Sequence, residues 1–144
     1  MGLLDSIFGG DEKPAESGAS DKSSNPFSVN LSFSQLRMSA NKRNSVNLMV
    51  KVKNVSGATQ LVSVDAMLPK DSMLGFDQAS INKAVEKRVG ELKAGQSLEV
   101  PVEIWATNQT KPGNYSVDVT VFSHYIGYDK VISYIKKNIP LRVV

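Results

Sequence analysis

The chain of 144 residues contains no cysteine, a single histidine and only 7% aromatic residues. Without cysteine, neither a disulfide framework nor a thiolate metal site can form. No apolar run approaches the roughly 18 residues that a membrane-spanning helix needs. Asp5 stands where a secretory signal carries basic residues, and the apolar stretch around it is short. We therefore expect a cytoplasmic protein with one ordinary domain and a tail.

Residue types that carry catalysis are also sparse. His124 has neither a cysteine nor a second histidine to act with, so a zinc or nucleophile–base site would need carboxylates alone as partners. Acid pairs such as Glu99 and Glu103 share one strand face through simple alternation, and DSMLGFDQ lacks the oxygen spacing of calcium loops. The sequence therefore predicts no enzyme, no metal site and no cofactor.

The composition divides the chain near residue 26. Residues 11–26, DEKPAESGASDKSSNP, contain no aromatic or β-branched residue and predict a disordered linker. Residues 1–26 hold five acidic and two basic residues, a net charge of −3, whereas residues 27–144 hold nine acidic and fifteen basic residues, a net of +6. The basic excess is spread along the domain, as on an ordinary solvated surface, so we expect no nucleic-acid partner.

The first ten residues, MGLLDSIFGG, form a short amphipathic segment. In a two-turn helix, one side would carry Leu3, Leu4, Ile7 and Phe8. So short a helix is unstable alone in water and would fold only against a membrane interface, a partner groove or its own domain. With little positive charge nearby, the four side chains would give weak membrane residence. The segment is a candidate for membrane or partner docking, and a peripheral membrane location stays open.

From Phe27 onward, apolar and polar residues alternate with a period of two. The segments SVNLSFSQL, SVNLMVKVKN, QSLEVPVEIW and YSVDVTVF show this pattern, and turn-forming segments NVSG, KAGQ, KPGN and GYD separate such runs. Six or seven short half-buried strands without a long helical pattern predict an all-β fold. We expect an antiparallel immunoglobulin-like β-sandwich of about seven strands over residues 27–144, preceded by the disordered tail.

Two places depart from simple alternation. In DQASINKAVEKRVGELKAG, Ile81, Val85 and Val89 recur at helical spacing, so a short helix or an irregular crossover over residues 78–85 is expected, followed by a strand over residues 86–92. In KVISYIKKNIPLRVV, a bulge at residues 138–140 is expected to separate two halves of the last strand.

The stretch VGELKAGQSLEVPVEIWATNQTKPGNYSVDVTV resembles the C-terminal half of a widespread immunoglobulin-like module. In that half, a Leu-x-x-Gly turn precedes an alternating strand, and a polar loop ending in Pro-Gly-x-Tyr precedes the next strand. Upstream, VNLMVKVKNVSGAT resembles the second strand of the module. Over residues 28–144 the chain is similar to the cell-adhesion-related domain of bacteria and archaea, a fibronectin type III-like fold, and more weakly to arrestin-like sandwiches. The resemblance implies an adhesive, spacer or interaction domain.

Aromatic residues supply the candidate interaction surface. Trp105 and Phe122 fall on the polar sides of their strands, and outward aromatics are favoured anchors in interfaces, although Trp105 could also cap an open end of the sandwich. Tyr125 and Tyr128 flank a hairpin tip, where His124 is expected to be solvated. The tyrosines could instead cover the sheet edge.

The predicted function is non-catalytic binding of another protein, as an adaptor or scaffold held near a membrane or an assembly by the N-terminal segment. The alternative is an extracellular adhesion or carbohydrate-binding module, which four Asn-x-Ser/Thr sequons, at Asn30, Asn54, Asn108 and Asn114, keep open.

Overall fold

The computed structural model describes residues 25–144, and in them the chain forms eight β-strands and no helix. The strands are β1 (Phe27–Phe33), β2 (Asn44–Asn54), β3 (Gln60–Met67), β4 (Leu74–Gly75), β5 (Ala84–Leu92), β6 (Ser97–Ala106), β7 (Gly113–His124) and β8 (Val131–Val143). The predicted all-β sandwich is confirmed, with a short additional strand, β4, beyond the seven expected.

The strands form two four-stranded sheets, ordered β1-β2-β6-β4 and β5-β3-β7-β8. Every strand pairing is antiparallel, and one isolated parallel bridge joins Met38 to Val143. Strands β2 and β6 are neighbours although three strands separate them in the chain, as in the Greek-key connections of immunoglobulin-like sandwiches. This strand order places the chain's first and last strands on the same open side of the sandwich, where β1 and β8 are in contact.

The core consists of the alternate residues that the sequence predicted. Buried valines and leucines of β2, β3 and β7 face each other between the sheets, and they include Val46, Leu48, Val50, Val52, Val62, Val64, Val117, Val119 and Val121. Because side chains alternate across a strand, the residues between them lie on the outer faces. The outer face of the β5-β3-β7-β8 sheet carries the candidate surface described below.

The register defines two ends of the sandwich. Phe27 pairs with Asn54, Gln60 with Leu92, and Leu61 with His124, so the start of β1, the β2–β3 turn, the β5–β6 turn and the β7–β8 connection share one end. We call this the hairpin end. The loops at residues 34–43, 68–83 and 107–112 lie at the opposite end.

Polar contacts hold both ends. At the hairpin end, Asn54 is fully buried, and its side-chain amide donates to the carbonyl oxygens of Ala58 and Leu92, each at 2.8 Å. At the opposite end, the Tyr115 hydroxyl donates to the Lys111 carbonyl oxygen at 2.7 Å, which is the tyrosine corner of immunoglobulin-like sandwiches.

No helix forms over residues 78–85, and the irregular crossover is the correct alternative. The Asp77 carboxylate accepts the backbone N–H groups of Ile81 and Asn82, both at 2.9 Å, and these bonds fold the loop back. Strand β5 begins at Ala84, and Val85 and Val89 pack on the core from it. A spacing of four residues is a multiple of the strand period as well as close to a helical turn, which explains the ambiguity.

The expected bulge at residues 138–140 is wrong. Pairing of β8 with β7 is continuous from Ser133 to Val143, and the register shifts only near Val131, opposite His124. Pro140 interrupts nothing because its backbone faces away from β7. The Met38 N–H donates to the Arg142 carbonyl oxygen at 2.9 Å, so the backbone groups of Arg142 point away from β7. Every second residue of β8, counted from Arg142, has the same backbone direction, and Pro140 is one of them.

Candidate interaction surface

Four rings form an aromatic cluster on the outer face of the β5-β3-β7-β8 sheet, near the hairpin end. Ring centroids lie 5.9 Å apart between Phe122 and His124, 6.0 Å between Phe122 and Tyr134, and 5.1 Å between His124 and Tyr128. The Arg88 guanidinium lies 4.9 Å from the centroid of the Tyr128 ring, within cation–π distance. The register produces this cluster, because Phe122 is paired directly with Tyr134.

His124 is not solvated at the hairpin tip, and that expectation is wrong. It is the last residue of β7 and is only 6% exposed, because the neighbouring rings cover it. Its Nε2 atom lies 2.7 Å from the Ser63 hydroxyl oxygen on β3, whereas its Nδ1 atom is buried and has no protein partner among residues 25–144. The histidine is therefore part of the support beneath the surface rather than a free contact residue.

Asp65 adds a carboxyl group to this region of the sheet face. It lies two residues after Ser63 on β3, on the same side of the strand, and its Oδ1 atom is buried without a partner in the described part of the chain. Burial raises the pKa of Asp65, the nearby Glu86 raises it further, and His124 opposes the change. A polar layer of Ser63, Asp65 and His124 thus lies on the outer face, where the rings partly cover it.

The Ser63–His124 contact has the heavy-atom distance of a nucleophile and its general base. Ser63 is, however, only 1% exposed, so a substrate cannot reach its oxygen in this arrangement. The contact is therefore suited to fixing the orientation of the His124 ring, and through that ring the positions of Phe122 and Tyr128.

Five large apolar side chains are exposed at the hairpin end within ten residues of sequence. Their exposed fractions are 58% for Tyr125, 81% for Ile126, 52% for Val131, 60% for Ile132 and 61% for Tyr134. We call these five residues the hairpin patch. Single exposed apolar residues are ordinary, but a concentrated group on one hairpin is typical of an interaction site.

The backbone at the tip of the hairpin is strained. Ile126 has a φ of 66°, and the Gly127 N–H donates to the Tyr125 carbonyl oxygen at 2.7 Å, which together describe a tight γ-turn centred on Ile126. Positive φ is a genuine outlier for a β-branched residue and costs about 1–3 kcal/mol. Strain of this kind is characteristic of functional sites. The hairpin therefore presents an apolar side chain at a backbone position that glycine or asparagine would occupy more easily.

The predicted surface residues divide between the two sheets. Phe122, His124 and Tyr128 join the aromatic cluster, and Tyr125 joins the hairpin patch. Trp105 lies on β6 in the other sheet, half-buried, where its carbonyl oxygen accepts the Ser80 hydroxyl at 3.1 Å. Trp105 therefore does not belong to the same surface, and the N-terminal candidates Leu3, Leu4, Ile7 and Phe8 lie outside the described residues.

Sequence reasoning missed the contributions of Ile126, Val131, Ile132 and Tyr134. Simple alternation in VISYI would place Ile132 and Tyr134 on the core face, but the core-facing residues of that strand include Ile135, Ile139 and Leu141. The available signal was the run VISYI, which is apolar on both faces of a strand, whereas a strand of a two-layer sandwich packs only one face on the core.

The opposite end of the sandwich contains an open cleft of about 590 Å³, lined by residues including Asn41, Asp71, Gln109 and Tyr115. Within residues 25–144, no group of three or more histidine, aspartate or glutamate side chains is placed to hold a metal ion. A search of the same residues for a helix of the length and apolarity needed to span a membrane finds none.

Comparisons with known proteins identify the fold and no family. No protein-family model matches the chain, and no curated protein matches it. Among solved structures, a FixG-related protein from Vibrio parahaemolyticus is 10% identical with a TM-score of 0.52, and the match covers 83% of this chain and 97% of that one. The native conformation of the alpha-2-macroglobulin of E. coli is 16% identical with a TM-score of 0.55, and the match covers 83% of this chain and 7% of that one.

A third similar structure is the Pseudomonas fluorescens alkylpurine DNA glycosylase bound to DNA containing an abasic site analog. It is 15% identical with a TM-score of 0.51, and the match covers 82% of this chain and 30% of the glycosylase. The chain thus spans less than a third of the glycosylase and a small part of the macroglobulin. At these identities the likeness shows the fold alone, and the protein is an all-β sandwich of the immunoglobulin-like kind.

Proposed function

We propose that the chain is a non-catalytic interaction module, an adaptor or scaffold, that binds another protein through the hairpin patch. The observation that carries the proposal is Ile126, which is 81% exposed and sits at a strained backbone position. An exposed isoleucine in a left-handed conformation is unfavourable for the isolated domain, so binding is a reason for its presence.

The support beneath the patch suits rigid binding. The Ser63–His124 contact and the Arg88–Tyr128 stacking hold the aromatic cluster against the sheet. A pre-positioned aromatic surface loses little side-chain entropy on association, and tyrosine is among the residues most often found at binding hot spots. Tyr134 connects the cluster to the patch, because it is paired with Phe122 and is itself 61% exposed.

The N-terminal segment is proposed as a second contact, at a membrane surface or on the same assembly in the cytoplasm. Strand β1 begins at the hairpin end, so the point to which residues 1–24 are joined lies at the end that carries the patch. Fully extended, these residues span at most about 80 Å. Two weak contacts on one chain reinforce each other when both sites can be reached together.

The test is an affinity capture from the source cells with the full-length chain and two matched variants. The double change Ile126→Asp with Ile132→Asp places charge in the hairpin patch, whereas Leu36→Asp places it on an isolated leucine that is 96% exposed at the opposite end. We expect the patch variant to lose its specific partner and the Leu36 variant to keep it, with neither variant melting at a lower temperature than the unchanged chain. Equal capture by all three proteins would contradict the proposal.

The adhesion or carbohydrate-binding alternative rests on the sequons. Asn30, Asn108 and Asn114 are exposed, whereas Asn54 is fully buried with its amide engaged in two hydrogen bonds. An exported form glycosylated at the three exposed asparagines would favour this alternative over the cytoplasmic adaptor, and cell fractionation followed by mass spectrometry distinguishes the two.

A further inference from the structure

Among residues 25–144, strand β8 has a backbone edge without a partner strand, and the position of this edge follows from the register. In an antiparallel ladder, alternate residues direct both backbone groups to the same side. The Arg142 carbonyl points to Met38 and away from β7. The residues of β8 whose backbone N–H and C=O groups point away from β7 therefore also include Tyr134, Lys136 and Asn138. Residues 38–40 cover only the C-terminal part of this edge, through bonds to Arg142 and Val144.

The two edges of the β5-β3-β7-β8 sheet differ in how they are protected. At the β5 edge, the register shifts between Val62 and Ser63, and the outer-face residues Glu86 and Arg88 form an ion pair at 3.6 Å. Bulges are a common protection against unwanted strand pairing. The β8 edge pairs in continuous register from Ser133 to Val143 and carries charge of one sign only. It is therefore the more receptive edge.

The charges on β8 select the chemistry of a partner strand. The strand contains Lys136, Lys137 and Arg142 and no acidic residue. Lys136 and Lys137 are both exposed, and within residues 25–144 neither pairs with a carboxylate. Next to them lie two exposed apolar residues of the hairpin patch, Ile132 and Tyr134. The edge thus offers apolar contact at its start and positive charge at its centre.

We propose that the β8 edge binds an extended segment of a partner protein, with acidic and apolar residues alternating, as a fifth strand of the sheet. The main chain of that segment bonds to Tyr134, Lys136 and Asn138, while its acidic side chains lie on the outer face beside Lys136 and its apolar side chains lie on the other face beside Ile135 and Ile139. This deepens, and rests on, the proposed interaction function. Strand addition takes affinity from backbone bonds and specificity from alternate side chains.

The lysines also argue against a second copy of the chain as the occupant. Antiparallel pairing of two β8 edges over residues 134–138 would bring four ammonium groups into one short ladder. Like charges across a strand pair are destabilising, and edge lysines commonly prevent self-association for this reason. An acidic incoming strand instead places carboxylates beside the lysine side chains of a single β8 edge, and opposite charges across a strand pair are favourable.

The test is a titration of the full-length ¹⁵N-labelled chain with a capped peptide of alternating glutamate and valine, followed by nuclear magnetic resonance. We expect shifts in the amides of Tyr134, Lys136 and Asn138, protection of these amides from hydrogen exchange, and weaker binding at higher salt. The matching peptide of lysine and valine is the control and should not bind. Shifts confined to residues away from β8, or equal binding of both peptides, would overturn the proposal.

Two substitutions separate backbone pairing from charge. Lys136→Pro removes an N–H that points away from β7 and donates no hydrogen bond to it. Pro140 occupies an equivalent position in the same strand, so the fold should be retained. Lys136→Ala removes the charge and keeps the N–H. We expect about tenfold weaker peptide binding for the proline variant than for the alanine variant. Equal binding by the two variants would contradict strand addition.

A third variant tests the proposal even if the proline variant fails to fold. Reversing both charges, with Lys136→Glu and Lys137→Glu, changes only exposed side chains and should transfer the preference from the acidic to the basic peptide. An unchanged preference would overturn the proposed partner chemistry. In the uncomplexed chain, exchange protection of the same three amides would show that the edge is already occupied by a second copy or by residues 1–24, and would also overturn it.

Failure of this inference and failure of the proposed function have different signatures. If the Ile126→Asp, Ile132→Asp variant loses its cellular partner while Lys136→Pro keeps it, the interaction module stands and strand addition is wrong. If neither variant changes any association, both proposals are wrong.

Discussion

The buried contact between Ser63 and His124 gives the sharpest stability prediction. Ser63→Ala removes the partner of His124 Nε2, whose ring is 6% exposed and already has an unpaired Nδ1 among the described residues. Leaving a buried polar atom without a partner costs about 1–3 kcal/mol. Entropies of unfolding near 2.1 cal/mol/K per residue, over a domain of about 120 residues, convert each kcal/mol to about 4 °C. The melting temperature should therefore fall by about 4–12 °C.

The matched control is Ser28→Ala, since Ser28 is an exposed strand serine on β1. It should change stability by less than about 0.5 kcal/mol. Thermal unfolding followed by circular dichroism, at one pH and protein concentration, measures both variants. In a His124→Leu background, Ser63→Ala should cost clearly less, because the unpaired nitrogen is no longer created. Equal melting temperatures for Ser63→Ala and Ser28→Ala would refute the buried contact.

Three further predictions concern the core, the pH dependence and the tail. Gly75→Ala should unfold or severely destabilise the domain, because a Cβ there would lie 2.3 Å from Ser80 Cα, whereas Gly57→Ala meets no atom within 4 Å and should be tolerated; urea unfolding compares the two. Asp65→Asn should raise stability at neutral pH, because burial raises the pKa of Asp65 and its ionised form is unfavourable in the fold. That gain should shrink as pH falls through the raised pKa towards the ordinary value of 3.8, and an increasing gain in acid would contradict the assignment. Deleting residues 1–10 should leave the melting temperature unchanged and remove vesicle or partner association; loss of both together would show that the segment packs on the domain.

The sandwich was predictable because its core strands obey the period of two with few interruptions. Val46, Leu48, Val50 and Val52 alternate with Asn47, Met49 and Lys51, and the structure buries the first four between the sheets. The turn at Gly95, where φ is 79°, and the corner at Tyr115 were likewise evident from local residue types. Such features depend on neighbours in sequence, which a single chain displays.

The candidate surface was less predictable because it depends on register across strands. His124 looks like a loop residue in VFSHYIGYDK, and only its pairing with Leu61 and its contact with Ser63, 61 residues away, reveal that it is buried. The outward placement of Tyr134 depends equally on its pairing with Phe122. Pro140 suggested an interruption because proline has no backbone N–H to donate to a neighbouring strand. It is harmless here because its nitrogen faces away from β7. Alternation alone does not fix which side of the strand that nitrogen faces.

The most direct test of the account is hydrogen exchange of the full-length chain, alone and bound to the partner that it captures. The account predicts that binding protects residues 125–138, at the tip of the hairpin and along the β8 edge. Protection confined to the opposite end, around Asn41, Asp71 and Lys111, would contradict it and would place the binding site in the cleft between those loops.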